Sequence, residues 1–228
     1  VVDLDFLAKI VAFVVFIFSI IIHENAHGVV AGYFGDPTAR AMGRITLNPL
    51  PHIDPIGSIL LPVVAVASHV PLIGWAKPVP VNPANLRNPL VHNTYVAAAG
   101  PASNLLLALV GAVLWIVVGV AYKHVPALAD HGEATWYFFG TLFENVIVLN
   151  CLLAVFNLMP IPPLDGHWIL IRFLPSGPRE AVARVGRFGF LILLALLWTG
   201  ALWWIIGPPF RLVVSGYQAL VSGALRLF

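Results

Sequence analysis

Residues 6 to 34 read FLAKIVAFVVFIFSIIIHENAHGVVAGYF, an almost unbroken apolar run with a cluster of polar side chains near its far end. A helix rises about 1.5 Å per residue, so roughly 20 apolar residues cross the about 30 Å of bilayer hydrocarbon. This run is long enough to span. Within it stands His23-Glu24-Asn25-Ala26-His27. Residues four apart share one helix face, so His23 and His27 are placed to bind one metal ion. Glu24, one residue along, is placed to reach water beside that metal as a general base. A carboxylate inside a membrane helix costs about 2.5–3.5 kcal/mol on insertion scales unless it faces a polar cavity or a cation. The run therefore predicts a spanning helix that carries chemistry.

The rest of the chain agrees with a membrane class. Of its 228 residues 60% are hydrophobic and 10% charged, with mean hydropathy +0.92, against about 45–50% and about 25% in ordinary soluble domains. Twelve basic and ten acidic residues form no basic block that would track a phosphate backbone, which argues against a nucleic-acid partner. The single cysteine, Cys151, leaves no intramolecular disulfide and no thiol cluster, so a metal here must use His and carboxylate. No cleavable signal sequence is expected, because the first apolar run ends in polar chemistry rather than in small residues.

Two further clean spans are expected at about residues 94 to 122 and 135 to 157. Between the first and second spans, residues 36 to 52 contain an alternating ARAMGRITL stretch that reads as a short β-hairpin. Residues 56 to 73 are apolar but interrupted by Gly57, Pro62, His69 and Pro71, and residues 74 to 90 carry four prolines that favour an extended loop. After the third span comes NLMPIPPLDG, residues 157 to 166, then a basic stretch. Residues 188 to 206 read as another span, and 209 to 228 as a last helix, short or interfacial. The fold class is thus an all-α polytopic membrane protein. A core of three helices is joined to a hairpin, a re-entrant or interfacial segment and C-terminal helices, all in one membrane-embedded domain over 1 to 228.

A catalytic zinc takes about three protein ligands and keeps one position open. Asp165 is the best candidate for the third: Pro160, Pro162 and Pro163 stiffen its turn, and Gly166 lets backbone approach closely. Asp54 is a weaker alternative. His52, His69, His92, His124, His131 and His167 have no partner at ligand spacing, although His167 adjoins the proposed site.

Taken together, these segments resemble the site-2 proteases, intramembrane zinc metalloproteases. HENAH matches their H-E-x-x-H, NLMPIPPLDG their N-x-x-P-x-P-x-x-D-G, and Gly100-Pro101-Ala102-Ser103-Asn104 the small-residue and Asn motif of their middle core helix. The resemblance implies one zinc ion per chain, bound by His23, His27 and Asp165, with Glu24 as base and Asn104 and Asn157 lining the site. It implies a transmembrane-helix substrate cut within the bilayer, and a compact form without a PDZ module. A membrane zinc carrier or sensor, and a pseudo-protease that binds clients without cutting, remain as other readings of the same residues.

The ligands constrain topology. His23 and His27 lie towards the C-terminal end of the first helix, on side A, and Asp165 must reach the same ion, so an even number of crossings separates them. Residues 56 to 73 therefore do not span. Side A then holds Arg40, Arg44, Lys77, Arg87, Arg172, Arg179, Arg184, Arg187 and, if the last helix spans, Arg226. Lys9, Lys123 and Arg211 lie opposite, and the positive-inside rule makes side A cytoplasmic. The expected setting is the cytoplasmic membrane, with the site in its cytoplasmic half. The 36 to 52 hairpin and the 74 to 90 loop lie on that side, where an edge strand would capture unwound substrate by β-addition.

Overall fold

The computed structural model describes residues 4–67, 75–125 and 132–227. Three long helices form the core: α1 (Leu4–Tyr33), α4 (Pro89–His124) and α5 (Gly132–Asn157), each packed against the other two. Their apolar stretches Phe6–Tyr33, Pro89–His124 and Thr135–Asn157 are long enough to cross a membrane. Shorter helices complete the chain: α2 (Thr38–Ala41), α3 (Leu61–Ala67), α6 (Asp165–Phe173), α7 (Ser176–Gly186), α8 (Gly189–Trp198) and α9 (Ala201–Leu227). His69 and His131 lie outside the described residues.

The core has an apolar exterior and buries a group of polar side chains at one depth. Phe18, Leu106, Val110 and Val117 are exposed, while Ser19, His23, Asn104 and Asn150 are buried where the three helices meet. An apolar exterior suits hydrocarbon, and a polar interior is tolerable only if its groups pair. Small residues allow the approach: Ala108 and Ala112 are fully buried, and a Cβ at Gly111 would lie 2.6 Å from a Val146 methyl.

No strand occurs among the described residues, so the β-hairpin expected at 36 to 52 does not form. The stretch holds α2, a turn at Gly43 (φ +61) and a short 3-10 helix at Leu50–His52. The reason is a competing partner. The Asn25 side chain donates to the Thr46 carbonyl at 2.8 Å and accepts from the Thr46 amide at 3.0 Å. A side-chain amide thus takes the place of a partner strand, and His52 Nε2 adds a third bond to the Thr46 carbonyl at 3.0 Å.

Residues 56 to 67, the described part of the 56 to 73 stretch, form no membrane-length helix. Pro55–Leu60 forms a π-helical turn that runs into α3, and residues 68 to 74 lie outside the described part. The Trp75 amide donates to the Gly57 carbonyl at 3.1 Å and Ser58 Oγ donates to the Trp75 carbonyl at 2.8 Å. The chain has therefore returned to the level where it left. Asp54 caps this element, accepting from the amides of Ile56 (3.0 Å) and Gly57 (2.8 Å), which commits it to a structural bond.

The run at 188 to 206 is not one span. It breaks at Thr199–Gly200, where Gly200 takes φ +73. Leu193 before the break and Leu202 after it pack on the same cluster of Met159, Leu164 and Ile206. From there α9 runs in the direction of α4. Ile206 sits beside Met159, the Tyr217 hydroxyl donates to the Leu105 carbonyl at 2.8 Å, and Leu225 reaches the Gly119 turn. Arg226 therefore ends on the side of Lys123, opposite to the expectation. Side A keeps Arg40, Arg44, Lys77, Arg87, Arg172, Arg179, Arg184 and Arg187. In a variant with Cys151 replaced, single cysteines at Lys123 and Arg226 should react with an impermeant thiol reagent from one face of a vesicle, and cysteines at Arg40 and Arg172 from the other. Labelling of the 226 position together with the 40 position would contradict this path.

Candidate metal centre

Three side chains from two distant parts of the chain converge at the heart of the core. His23 Nε2 lies 3.2 Å and His27 Nε2 3.4 Å from Asp165 Oδ2, and the two Nε2 atoms are 3.1 Å apart. The histidines come from successive turns of α1. Asp165 is the first residue of α6, delivered by the Pro-rich turn after α5. Gly166 makes the delivery possible, because a Cβ there would overlap the Leu158 carbonyl. The turn packs α6 so tightly against the end of α5 that only hydrogen fits.

The arrangement fits a zinc ion. The His27 Nδ1–H donates to the Val96 carbonyl at 2.7 Å, so its Nε2 carries a lone pair. His23 Nδ1 meets Asn104 Oδ1 at 2.6 Å in the same sense. Asp165 Oδ2 is buried and makes no hydrogen bond of proper geometry. Two nitrogen lone pairs and a carboxylate oxygen thus face one another, a set that repels itself unless a cation sits between them. In a tetrahedron with bonds of about 2.0–2.1 Å, ligands stand about 3.3–3.4 Å apart, close to the separations found. Among the described residues this is the group of His, Cys, Asp and Glu side chains whose ligand atoms fall within 4.8 Å of one another.

A second glycine closes the site. A Cβ at Gly100 of α4 would stand 2.5 Å from His27 Nε2 and 2.6 Å from His23 Nε2. This explains the small-residue motif on α4 in physical terms: it makes room for the imidazoles.

Beside the three ligand atoms opens a cavity of about 280 Å³. Glu24, Asn157 and Trp168 line it, and Pro78, Val79 and Val81 form its roof. Nine residues of α1 follow Glu24, which sets the carboxylate about 14 Å from the helix end. Glu24 Oε2 accepts from the Val79 amide at 2.7 Å, so this carboxylate is held by the roof segment. Asn157 is on the wall, its amide donating to the Leu153 carbonyl at 2.9 Å. Asn104 is not: it lies fully buried behind His23, a supporting rather than a lining position. His167 also turns away, its Nδ1 donating to the Leu164 carbonyl at 2.5 Å.

The roof segment is anchored by residues that sequence reasoning passed over. Arg44 Nη2 donates to the carbonyls of Lys77 (2.9 Å) and Pro78 (3.3 Å), and Asp36 accepts from the Asn82 amide at 2.7 Å and from Asn85 Nδ2 at 2.9 Å. Burial alone would raise the Asp36 pKa, but donors from Thr38, Asn85 and Asn82 outweigh it and hold the carboxyl below its usual range. Asp36 is then ionised at neutral pH, and this tether is lost only in acid, as the pH falls through that lowered value.

Comparison with known proteins gives the family. Residues 11–198 match Peptidase family M50. The chain is 38% identical over 183 residues to the Bacillus subtilis protein named "Putative zinc metalloprotease YwhC", covering 80% of this chain and 78% of that one. It is 32% identical over 221 residues to the Mycolicibacterium smegmatis protein named "Putative zinc metalloprotease Rip2", covering 92% and 77%. No solved structure matches the chain. The protein belongs to Peptidase family M50, the site-2 protease family, and is a metalloprotease with the apolar helices of a multi-pass membrane protein.

The Gly100 contact yields a sharp expectation. Gly100→Ala should lower the zinc content of the purified protein at least about tenfold, because a methyl group that close must displace the imidazoles from their shared point. Native zinc content in this variant would mean that α4 has freedom to move away from the imidazoles.

Proposed function

We propose that this protein is an intramembrane zinc endopeptidase that hydrolyses a peptide bond within or near a transmembrane helix of a membrane-protein substrate, as in regulated intramembrane proteolysis. The observation that carries the reading is the meeting of His23, His27 and Asp165 beside a cavity that His27, Asp165 and Glu24 line, about 14 Å from the end of a membrane-length helix. His23, His27 and Asp165 would hold one zinc per chain. Bound there, zinc supplies polarisation of the scissile carbonyl and a lowered pKa, about 7, for water. Glu24 takes a proton from the attacking water and returns it to the departing amine, so that water is added across the C–N bond.

A helical substrate presents its carbonyls already bonded, and an unwound segment needs new partners. The roof segment Pro78–Val81 belongs to no helix or strand among the described residues and lines the cavity through Pro78, Val79 and Val81. We assign to it the capture of unwound substrate by β-addition, in place of the hairpin expected from sequence. The Val79 amide is then shared between two tasks, holding Glu24 before substrate arrives and lying beside the cut site afterwards. With eight of the twelve Lys and Arg side chains on side A, Lys9, Lys123 and Arg226 opposite, and Arg211 within α9 between them rather than opposite as expected, the cavity would open towards the cytoplasm.

Zinc analysis of detergent-purified protein should give one ion per chain, lost in His27→Ala and in Asp165→Ala. Zinc that persists after Asp165→Ala would refute the ligand set. In proteoliposomes carrying a single-span substrate, Glu24→Gln should retain zinc and lose cleavage by about 10²-fold or more. Cleavage at the native rate by that variant would show that Glu24 is not the base.

A further inference from the structure

Behind the metal centre lies a chain of buried amides that the proposed reaction does not use. Asn150 of α5 is 1% exposed and Asn104 of α4 is fully buried. Asn150 Nδ2 donates to the Val146 carbonyl at 2.8 Å and to Ser19 Oγ at 2.9 Å. Asn104 Nδ2 donates to Asn150 Oδ1 at 2.8 Å and approaches the Ser19 carbonyl at 3.5 Å. Asn104 Oδ1 meets His23 Nδ1 at 2.6 Å.

The direction of this chain is set by its far end. A backbone carbonyl has no proton to give, so the Asn150 atom facing Val146 must be the NH₂ group. That leaves Oδ1 facing Asn104, whose own facing atom must then be its NH₂ group. The Ser19 carbonyl, also an acceptor only, demands the same orientation of Asn104. What remains towards His23 is Asn104 Oδ1, which accepts, so His23 must donate from Nδ1 and keep its Nε2 lone pair free. Reversing any one member sets donor against donor, or acceptor against acceptor, in a buried site where an unsatisfied polar group keeps its full desolvation penalty.

We infer that Asn150 is a positioning residue for the metal centre: acting through Asn104, it fixes the proton of His23 on Nδ1 and aims Nε2 at the point shared with His27 and Asp165. Asn150 touches no ligand atom, and it joins all three core helices at the depth of the site. The inference rests on the reading of His23 as a zinc ligand.

A double-mutant cycle on zinc affinity tests it, using the full chain in detergent and chelator competition at fixed pH. Asn150→Leu, similar in volume, should weaken zinc by about 10- to 100-fold, the usual cost of losing an outer-shell partner. Asn104→Asp presents acceptors to His23 whatever Asn150 does, and sets a carboxylate oxygen against Asn150 Oδ1. In the Asn104→Asp background, Asn150→Leu should therefore change affinity by less than about threefold or improve it. Equal losses in the two backgrounds would reduce Asn150 to a packing role and overturn the relay. A measurement without variants guards against misfolding: with ¹⁵N-labelled histidine rings in the zinc-loaded protein, His23 should show a protonated Nδ1 and a metal-bound Nε2. A metal-bound Nδ1 overturns the relay directly. Zinc retained by His23→Ala overturns the ligand reading itself, which distinguishes that failure from failure of the relay alone.

Discussion

Two imidazole nitrogens and one carboxylate oxygen, none more than 3.4 Å from the next, pointing their lone pairs at a common centre inside a membrane-length bundle, are the constraint on which the rest of this structure depends. In low dielectric such a set is stable only with a cation at its centre and with every remaining polar atom satisfied. The core reflects both demands. His27 hands its other proton to Val96, His23 to Asn104, and Asn104 leans on Asn150 and Ser19. Gly100 and Gly166 remove the side chains that would keep α4 and α6 from closing on the site. The packing of α1, α4 and α5 is therefore the outer layer of a coordination site, and helix–helix contact and ligand geometry are one problem.

The same constraint fixes topology. Ligands near the C-terminal end of α1 and at the start of α6 can meet only if the chain between them crosses an even number of times, and α4 with α5 supplies two crossings. The remaining apolar stretch must turn back, and the Gly57–Trp75 pairing shows how. The Asp54 carboxylate caps the entry, the Gly57 carbonyl takes the Trp75 amide, and the absence of a side chain at Gly57 admits the Trp75 ring against the backbone. Backbone that does not span still needs partners near hydrocarbon, and a tight pairing of entry and exit provides them.

What could be read from sequence was what has a period or a spacing. The i, i+4 placement of His23 and His27 is a statement about helix geometry, and the run of prolines before Asp165 is a statement about where a helix must stop. Both carry to the structure. What failed was local inference about segments whose partners lie elsewhere. ARAMGRITL alternates like a strand, but its pairing group is the side chain of Asn25, twenty-one residues away in α1. The 188 to 206 run is apolar throughout, yet Gly200 reverses it because α8 and the start of α9 both prefer the Met159–Leu164 cluster to lipid. Asn150 carried no local signal except its type: an amide in an otherwise apolar stretch is costly enough in a membrane to ask what it pairs with, and that question would have found it.

The loop architecture on side A follows from a similar economy of partners. A segment that roofs a cavity and is assigned the capture of substrate cannot be buried in a sheet, because a fully paired strand has no edge left. Here the segment from Lys77 to Asn82 is held by three side chains instead: Arg44 on its first carbonyls, Glu24 on the Val79 amide and Asp36 at its end. Two of these grip the ends of the segment, and the third is the residue assigned as the base. Anchoring by side chains leaves backbone groups between the grips available. It also couples the position of the segment to that of Glu24, so that whatever pairs with the segment acts on the geometry of the base. A sheet would have given a stiffer roof; side-chain tethers give one whose Val79 amide stands within hydrogen-bonding reach of Glu24.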